Sequence, residues 1–441
     1  FDSSPYCWLV VNSVVIFLLA MRHRMEAVLA SMFDGLSQQE EVIAYGPEVF
    51  TCSIAILFSG ILCSAAGIGG GTVYVVVLMI VGKLSALNAV PMSKVIVFFG
   101  AVASLVTNLF QWTRRPVVDI RVCRVVVPPV LMGTLLGVHF NQHSEEVIIV
   151  AFLAVLMVLL TVMVLYLACQ QNRQEAAFST PGSPITPDPG HVQSNPQDGG
   201  MQEHHMPPKQ SLDAWDILHS CCLLFLVVLG QVLHFELQEC GKHVHSSASK
   251  AGTCPGLFAL PLFIWRNNAT IAIGMQRMAL SFPFLGCTLV GVYHGYLAET
   301  QAGWGILTIA MYQVTSVATG FVAGFAGVGG GVVLSPFFLL MGLEPAIAVG
   351  TSSTCLLFTS LSTATQYLFM GRVNTALALP YGLMSLVSAA VGTLLVHGIQ
   401  SRYGSRRSLV TFTVVAGLAL ATGLTMSKLS VLIAGLGSQQ Q

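Results

Sequence analysis

Two glycine runs sit inside otherwise apolar stretches: GIGGG at 67–71 and GVGGG at 327–331. Consecutive glycines adopt dihedrals that other residues resist and let another backbone or a ligand come close. A helix broken there ends in free carbonyls and restarts in free N–H groups at the positive end of a helix dipole. That combination suits an anion. The candidate substrate-binding residues are therefore Gly67, Gly69, Gly70, Gly71 and Thr72 at the first run, and Gly327, Gly329, Gly330 and Gly331 at the second. Nearby polar residues join them. Ser93 and Lys94 open an apolar run, and Ser352, Ser353 and Thr354 form a hydroxyl cluster. Asn108 and Gln366 are amides late in their predicted helices.

Each residue has a plainer reading. Small residues allow close helix packing, and hydroxyls bond back to their own helix. A lysine snorkels to a nearby surface unless it pairs or attracts a substrate. The glycine runs are not dinucleotide or phosphate loops. Thr72 and Val332 occupy the sixth position of a GxGxxG pattern, and no Walker lysine follows. No nucleophile–base constellation and no metal-ligand spacing of strength appears, so the chain reads as neither an enzyme nor a cofactor protein.

The elements that carry these residues follow from composition. The 441 residues are 54% hydrophobic and 9% charged, with 19 basic against 19 acidic. Soluble domains carry about a quarter charged residues, so lipid must cover this surface. Zero net charge argues against nucleic acid as a partner. The expected fold is an all-α polytopic membrane protein of about 12 (10–12) transmembrane helices. Spans are read at 5–21, 49–81 (interrupted), 89–110, 123–140, 147–169, 215–234, 256–275, 278–297, 305–341 (interrupted), 346–369, 376–397 and 409–426. The first has a signal-peptide h-region as its alternative. In 256–275, Arg266, Asn267 and Asn268 sit mid-run, and Asn268-Ala269-Thr270 is a glycosylation sequon.

The two glycine regions belong to an internal repeat. Aligned without gaps, 67–94 and 327–354 share Gly67, Gly69, Gly70, Gly71, Val73, Gly82, Ala86 and Ser93 with Gly327, Gly329, Gly330, Gly331, Val333, Gly342, Ala346 and Ser353. In the first copy the Arg-rich loop, with Arg114, Arg115 and Arg121, follows the second helix. In the second copy it follows the third, with Arg402, Arg406 and Arg407. Positive charge marks the cytosolic side, so the copies are expected to be inverted. Inverted repeats with a site near the midplane are a transporter architecture.

The expected organisation is a span and cytosolic loop over 1–48, a first repeat over 49–170, and a Pro-rich disordered cytosolic linker over 171–212. Intervening spans follow over 213–304, then a second repeat over 305–426 and a tail over 427–441. The linker's Thr180-Pro181, Ser183-Pro184 and Thr186-Pro187 fit proline-directed phosphorylation as well as plain flexibility. Of eleven cysteines, Cys240 and Cys254 fall in a polar non-cytosolic loop at 235–255, where a disulfide could form.

The twin glycine motifs, each followed by a short apolar stretch and a Ser-containing helix, resemble the sulfite exporter TauE/SafE family. The stretch MSKVIVFFGAVASLVTNL, then RRPVVDIRV, is similar to its eukaryotic branch of plants and protists, as is the long linker. The resemblance covers about 48–425. It implies a membrane protein of duplicated halves that exports sulfite or related organosulfur anions, coupled to protons or another ion. Gln366 stands where eukaryotic members tend to have Glu, which puts proton coupling through that position in doubt.

The leading reading is a secondary transporter of small anions, with its site between two broken helices near the midplane. An anion channel and a non-transporting membrane scaffold or signalling protein remain alternatives. A thiol-redox carrier is less supported, because Cys63 has no counterpart at the matching Ala323. The substrate, the membrane and the oligomeric state are not legible.

Overall fold

The computed structural model describes residues 46–65, 69–112, 118–178, 219–220, 222–231, 234, 269–343, 345–403 and 407–439. All regular structure in these segments is helical. In chain order the helices are α1 Gly46–Ala65, α2 Gly71–Ile80, α3 Ala86–Trp112, α4 Ile120–His143 and α5 Glu146–Phe178. Next come α6 Cys222–Gln231, α7 Ala269–Ala302, α8 Ile306–Ala326 and α9 Gly331–Leu340. The chain closes with α10 Pro345–Phe369, α11 Thr375–Tyr403 and α12 Arg407–Gln439. Among the described residues, seven helices are long and apolar enough to cross a membrane. Large apolar side chains project outward, including Phe50 and Phe58 on α1, Leu159 and Val162 on α5, and Phe282 and Leu289 on α7. Water would not tolerate faces of that size, and a bilayer covers them. This is an integral, multi-pass membrane protein.

Both interrupted segments break where glycine predicts, but they fold back instead of passing straight on. The Lys83 ammonium donates to a Glu48 carboxylate oxygen, 35 residues away. A continuous helix would hold these residues ~50 Å apart at 1.5 Å per residue. In the second copy, the rings of Tyr312 on α8 and Phe337 on α9 lie 5.3 Å apart. The pairs α1–α2 and α8–α9 are thus helical hairpins with the glycine runs at their tips.

The hairpins open toward opposite ends of the bundle. The backbone N–H of Ala86 donates to Glu146 Oε1 at 2.8 Å, so the start of α3 lies beside the start of α5. The backbone N–H of Asp119 donates to Thr351 Oγ1 at 2.9 Å, and Gln142 Nε2 reaches Met370 Sδ at 2.8 Å. Helices α4 and α10 therefore run parallel. The mouth of the first hairpin lies at the end where α4 finishes, and the mouth of the second at the end where α4 begins. The two copies are inverted, as the arginines indicated.

Three expectations change. Glu48 shares an end with Lys83, opposite the end where α4 and its Arg121 begin. Residues 46–48 therefore lie at the end opposite the start of α4, because the hairpin returns where a crossing was expected. The separate spans 256–275 and 278–297 are not distinct over the described residues, since α7 is one helix through 269–302. No glycine or turn residue between them forces a break, and Pro283 is accommodated within the helix. Helix α5 continues to Phe178, into the region expected to be linker. The 5–21 span, the rest of the linker, Asn268, Cys240 and Cys254 lie outside the described residues.

The tightest helix pair joins the copies. Gly133 and Gly137 on α4 face Gly320 and Gly324 on α8, each pair four residues apart. A β-carbon at Gly320 would lie 2.9 Å from the Thr134 nitrogen, and one at Gly324 would lie 2.8 Å from the Thr134 oxygen. Small residues at this spacing let backbones approach where no hydrophobic effect drives association. Gly320→Ile is expected to lower the melting temperature of detergent-solubilised protein sharply, since overpacking against backbone costs ~1–3 kcal/mol or more. Gly423→Ala, with nothing within 4 Å of the added carbon, is the control expected to melt unchanged.

Candidate functional site

The hairpin tips meet backbone to backbone. A β-carbon on Gly71 would lie 2.8 Å from Gly329 Cα and 3.1 Å from the Gly327 oxygen. One on Gly329 would lie 3.2 Å from the Gly69 oxygen and 3.3 Å from the Gly71 nitrogen. At the first tip, Gly69 and Gly70 have φ of 75° and 60°. This is left-handed backbone, which glycine adopts without strain. Gly67 lies outside the described residues.

The second tip is held by side chains from three helices. Helix α8 ends here, and the last carbonyls of any helix lack partners within it. Tyr367 Oη on α10 donates to the Gly324 oxygen at 2.6 Å. Asn141 Nδ2 on α4 donates to the Phe325 oxygen at 2.7 Å. Ser93 Oγ on α3 lies 3.3 Å from the Gly327 oxygen and also donates to the Val90 oxygen at 2.7 Å. Lys94 Nζ donates to the Val328 oxygen at 2.6 Å. Lys94 is 1% exposed, so it does not snorkel to a surface. Its Nζ sits at the carbonyl end of α8, the negative end of that helix's dipole. Ser93 and Lys94, candidate substrate residues in the sequence, reach the carbonyls of the opposite repeat's break and clasp it. Tyr367 and Asn141, which complete the clasp, were not singled out, because nothing in their local sequence separates them from ordinary buried polar residues.

The first tip borders a cavity. Gly69, Tyr74 on α2, Ser64 on α1, Ser104 on α3, Ser353 on α10, and Ser385 and Thr393 on α11 contribute to its lining. The described lining includes no charged residue. Ser353 Oγ donates to the Val349 oxygen at 2.8 Å, and Thr393 Oγ1 to the Ala389 oxygen at 2.8 Å. Ser385 Oγ donates to Tyr74 Oη at 3.3 Å. The Tyr74 hydroxyl also meets Ser388, which leaves the hydroxyls of Ser64 and Ser104 with no acceptor among the described residues. Hydroxyls from α1, α2 and α3 thus line the cavity beside the glycine break that begins α2. Thr72, in the first turn of α2, is 1% exposed and its hydroxyl has no partner among the described residues.

The remaining candidates are dispersed. Ser352 and Thr354 bond back to Val349 and Gly350 of their own helix, at 3.0 Å each. Gly330 opens α9 against Thr319 and Thr359; Gly331 begins that helix. Gln366 lies away from the first cavity. It lines a second one with His139, Gln142, Gln231 and His234, where its Nε2 donates to Ser362 Oγ at 3.0 Å and its Oε1 has no partner among the described residues. Asn108 lies on α3, and its side chain is outside the description.

Comparison with known proteins agrees with this architecture. A family model described as sulfite exporter TauE/SafE matches residues 13–201 and 251–420. Sulfite exporter TauE/SafE family protein 5 of Arabidopsis thaliana is 24% identical over 405 residues, covering 85% of this chain and 83% of the relative. Family protein 2 of the same plant is 25% identical over 385 residues, covering 83% of this chain and 80% of the relative. No solved structure matches the chain significantly. With inverted repeats, paired glycine-tipped hairpins and a family match across both copies, the chain belongs to the sulfite exporter TauE/SafE family of membrane transporters.

Proposed function

We propose that this protein is a secondary transporter of small anions of the sulfite and organosulfonate type, which it binds in the hydroxyl-lined cavity at the first hairpin tip. The observation that carries the reading is the set of hydroxyls of Ser64, Tyr74 and Ser104 lining one cavity beside the break that opens α2, those of Ser64 and Ser104 with no acceptor among the described residues. An anion there accepts those donors and lies near the positive end of a helix. The chemical type of the anion rests on the family and on the names of its relatives. The inverted hairpins support alternating access, in which one repeat moves against the other around a fixed site. The clasped second tip is the stationary partner in this scheme, and the first tip, where the cavity lies, is the part that responds to the anion.

The test is uptake of radiolabelled sulfite and methanesulfonate into proteoliposomes, with a set of single variants. Tyr74→Phe removes one donor and keeps the ring. It is expected to raise the half-saturating anion concentration about tenfold, the equivalent of one lost hydrogen bond to a charged group. Wild-type uptake with no response of that concentration in Tyr74→Phe, Ser64→Ala and Ser104→Ala would remove the anion from this cavity.

A further inference from the structure

The second cavity has no part in the anion reading. His139 and Gln142 on α4, Gln231 at the end of α6, His234 just beyond it and Gln366 on α10 contribute to its lining. Gln366 is 1% exposed, and its Oε1 accepts no hydrogen bond from a described residue. Its Nε2 is committed to Ser362. A buried acceptor without a donor is costly, so the cavity is suited to a species that brings one. The space is about 10 Å³, the room of a single water. A sulfonate does not fit it. A proton on an imidazole, or on a water beside one, does.

The imidazoles form a path to this oxygen. His139 and His234 interact electrostatically. The ring of His143 lies 4.8 Å from that of His139, and both residues are exposed. The path thus runs from the exposed end of α4 to the buried amide. Imidazole is the side chain that gains and loses a proton near neutral pH. The charged residues placed at this end are Glu145, after α4, and Arg372, whose Nη1 lies 3.5 Å from Asn141 Oδ1. Arg277 joins them on α7, which passes α4 in the opposite direction, with Gly291 beside Pro128 and Thr288 beside Met132.

The cavity also adjoins the parts that transport would use. Gln366 precedes Tyr367 and Gln142 follows Asn141, the two residues that hold the end of α8. Helix α10 carries Ser353 to the anion cavity, about 20 Å from Gln366 at 1.5 Å per residue. We infer that this cavity binds the proton that moves with the anion. A proton from the aqueous side joins the His139–His234 pair, and the imidazolium N–H, or a water it holds, donates to Gln366 Oε1. The same proton leaves when the repeats exchange access. The step rests on the anion-transport reading above. One proton with one monovalent anion carries no net charge, so the membrane potential does not oppose the pair.

The experiment uses radiolabelled methanesulfonate and proteoliposomes holding the full chain, with the membrane potential clamped at zero by potassium and valinomycin. Methanesulfonate stays ionised throughout, so its own protonation cannot imitate coupling. With the outside more acidic by one pH unit, the wild type is expected to accumulate the anion about tenfold, the free-energy equivalent of one pH unit. His139→Gln and His234→Gln together are expected to bring that accumulation close to onefold, while exchange of labelled for unlabelled anion at equal pH continues. Gln366→Leu removes the acceptor and keeps both rings; it is expected to lower accumulation in the same way and decides the matter where the double variant does not fold. Exchange without accumulation in the wild type, or full accumulation in the variants, would overturn the inference and leave anion transport standing. Neither exchange nor uptake in the wild type would overturn both.

Discussion

Gly71→Ala is expected to abolish transport with a single methyl group. The added carbon would lie 2.8 Å from Gly329 Cα and 3.1 Å from the Gly327 oxygen, both backbone atoms. A flexible side chain could step aside, but two hairpin tips cannot do so separately. Either the tips part or each hairpin shifts along its axis. Overpacking of this kind costs ~1–3 kcal/mol, enough to lower the melting temperature by several degrees and to displace α2 from the cavity. The helical conformation of Gly71 itself accepts alanine, so the effect isolates the tip contact from glycine's backbone freedom. Uptake and thermal unfolding measured together check this. Wild-type uptake in Gly71→Ala would show that the tips need not touch for transport.

Lys94→Met separates two roles for the buried lysine. If the ammonium serves as a clasp, removing it leaves the Val328 carbonyl buried and unpaired, at a cost of ~1–3 kcal/mol. The methionine stem keeps most of the packing. The variant is then expected to melt lower with or without substrate, and to lose transport because the second tip loosens. If Lys94 instead attracted the anion, stability without substrate would hold and only the half-saturating concentration would rise. The observed 2.6 Å bond to the Val328 oxygen supports the first outcome. Loss of affinity with unchanged melting would contradict the clasp.

Much of this architecture was legible in the sequence. A run too long for one span, interrupted by GIGGG and again by GVGGG, could only break there, and both breaks are found. The repeat and its inversion followed from eight shared residues and a few arginines. The return of each hairpin was not legible, because it depends on contacts such as Glu48 with Lys83 that no local pattern encodes. The glycine pairs of α4 and α8 were hidden for another reason. Small residues four apart are common in apolar helices, and only a partner of the same spacing gives them meaning. Lys94 was identified by its cost in a membrane, but cost alone does not distinguish a clasp from a ligand. Ser64, Tyr74 and Ser104 were missed because a serine or tyrosine in an apolar helix usually bonds to its own neighbours. What marks these three is that their hydroxyls share one cavity in the folded chain.

The central claim is that an anion occupies the cavity at the first tip, and chemical protection tests it most directly. In Ser104→Cys, the new thiol is labelled with N-ethylmaleimide in proteoliposomes, and mass spectrometry locates the label and separates it from the native cysteines. The account predicts that methanesulfonate slows labelling at this position and leaves labelling of the exposed Cys169 unchanged. Equal labelling at position 104 with and without the anion, in a variant that still transports it, would place the substrate elsewhere.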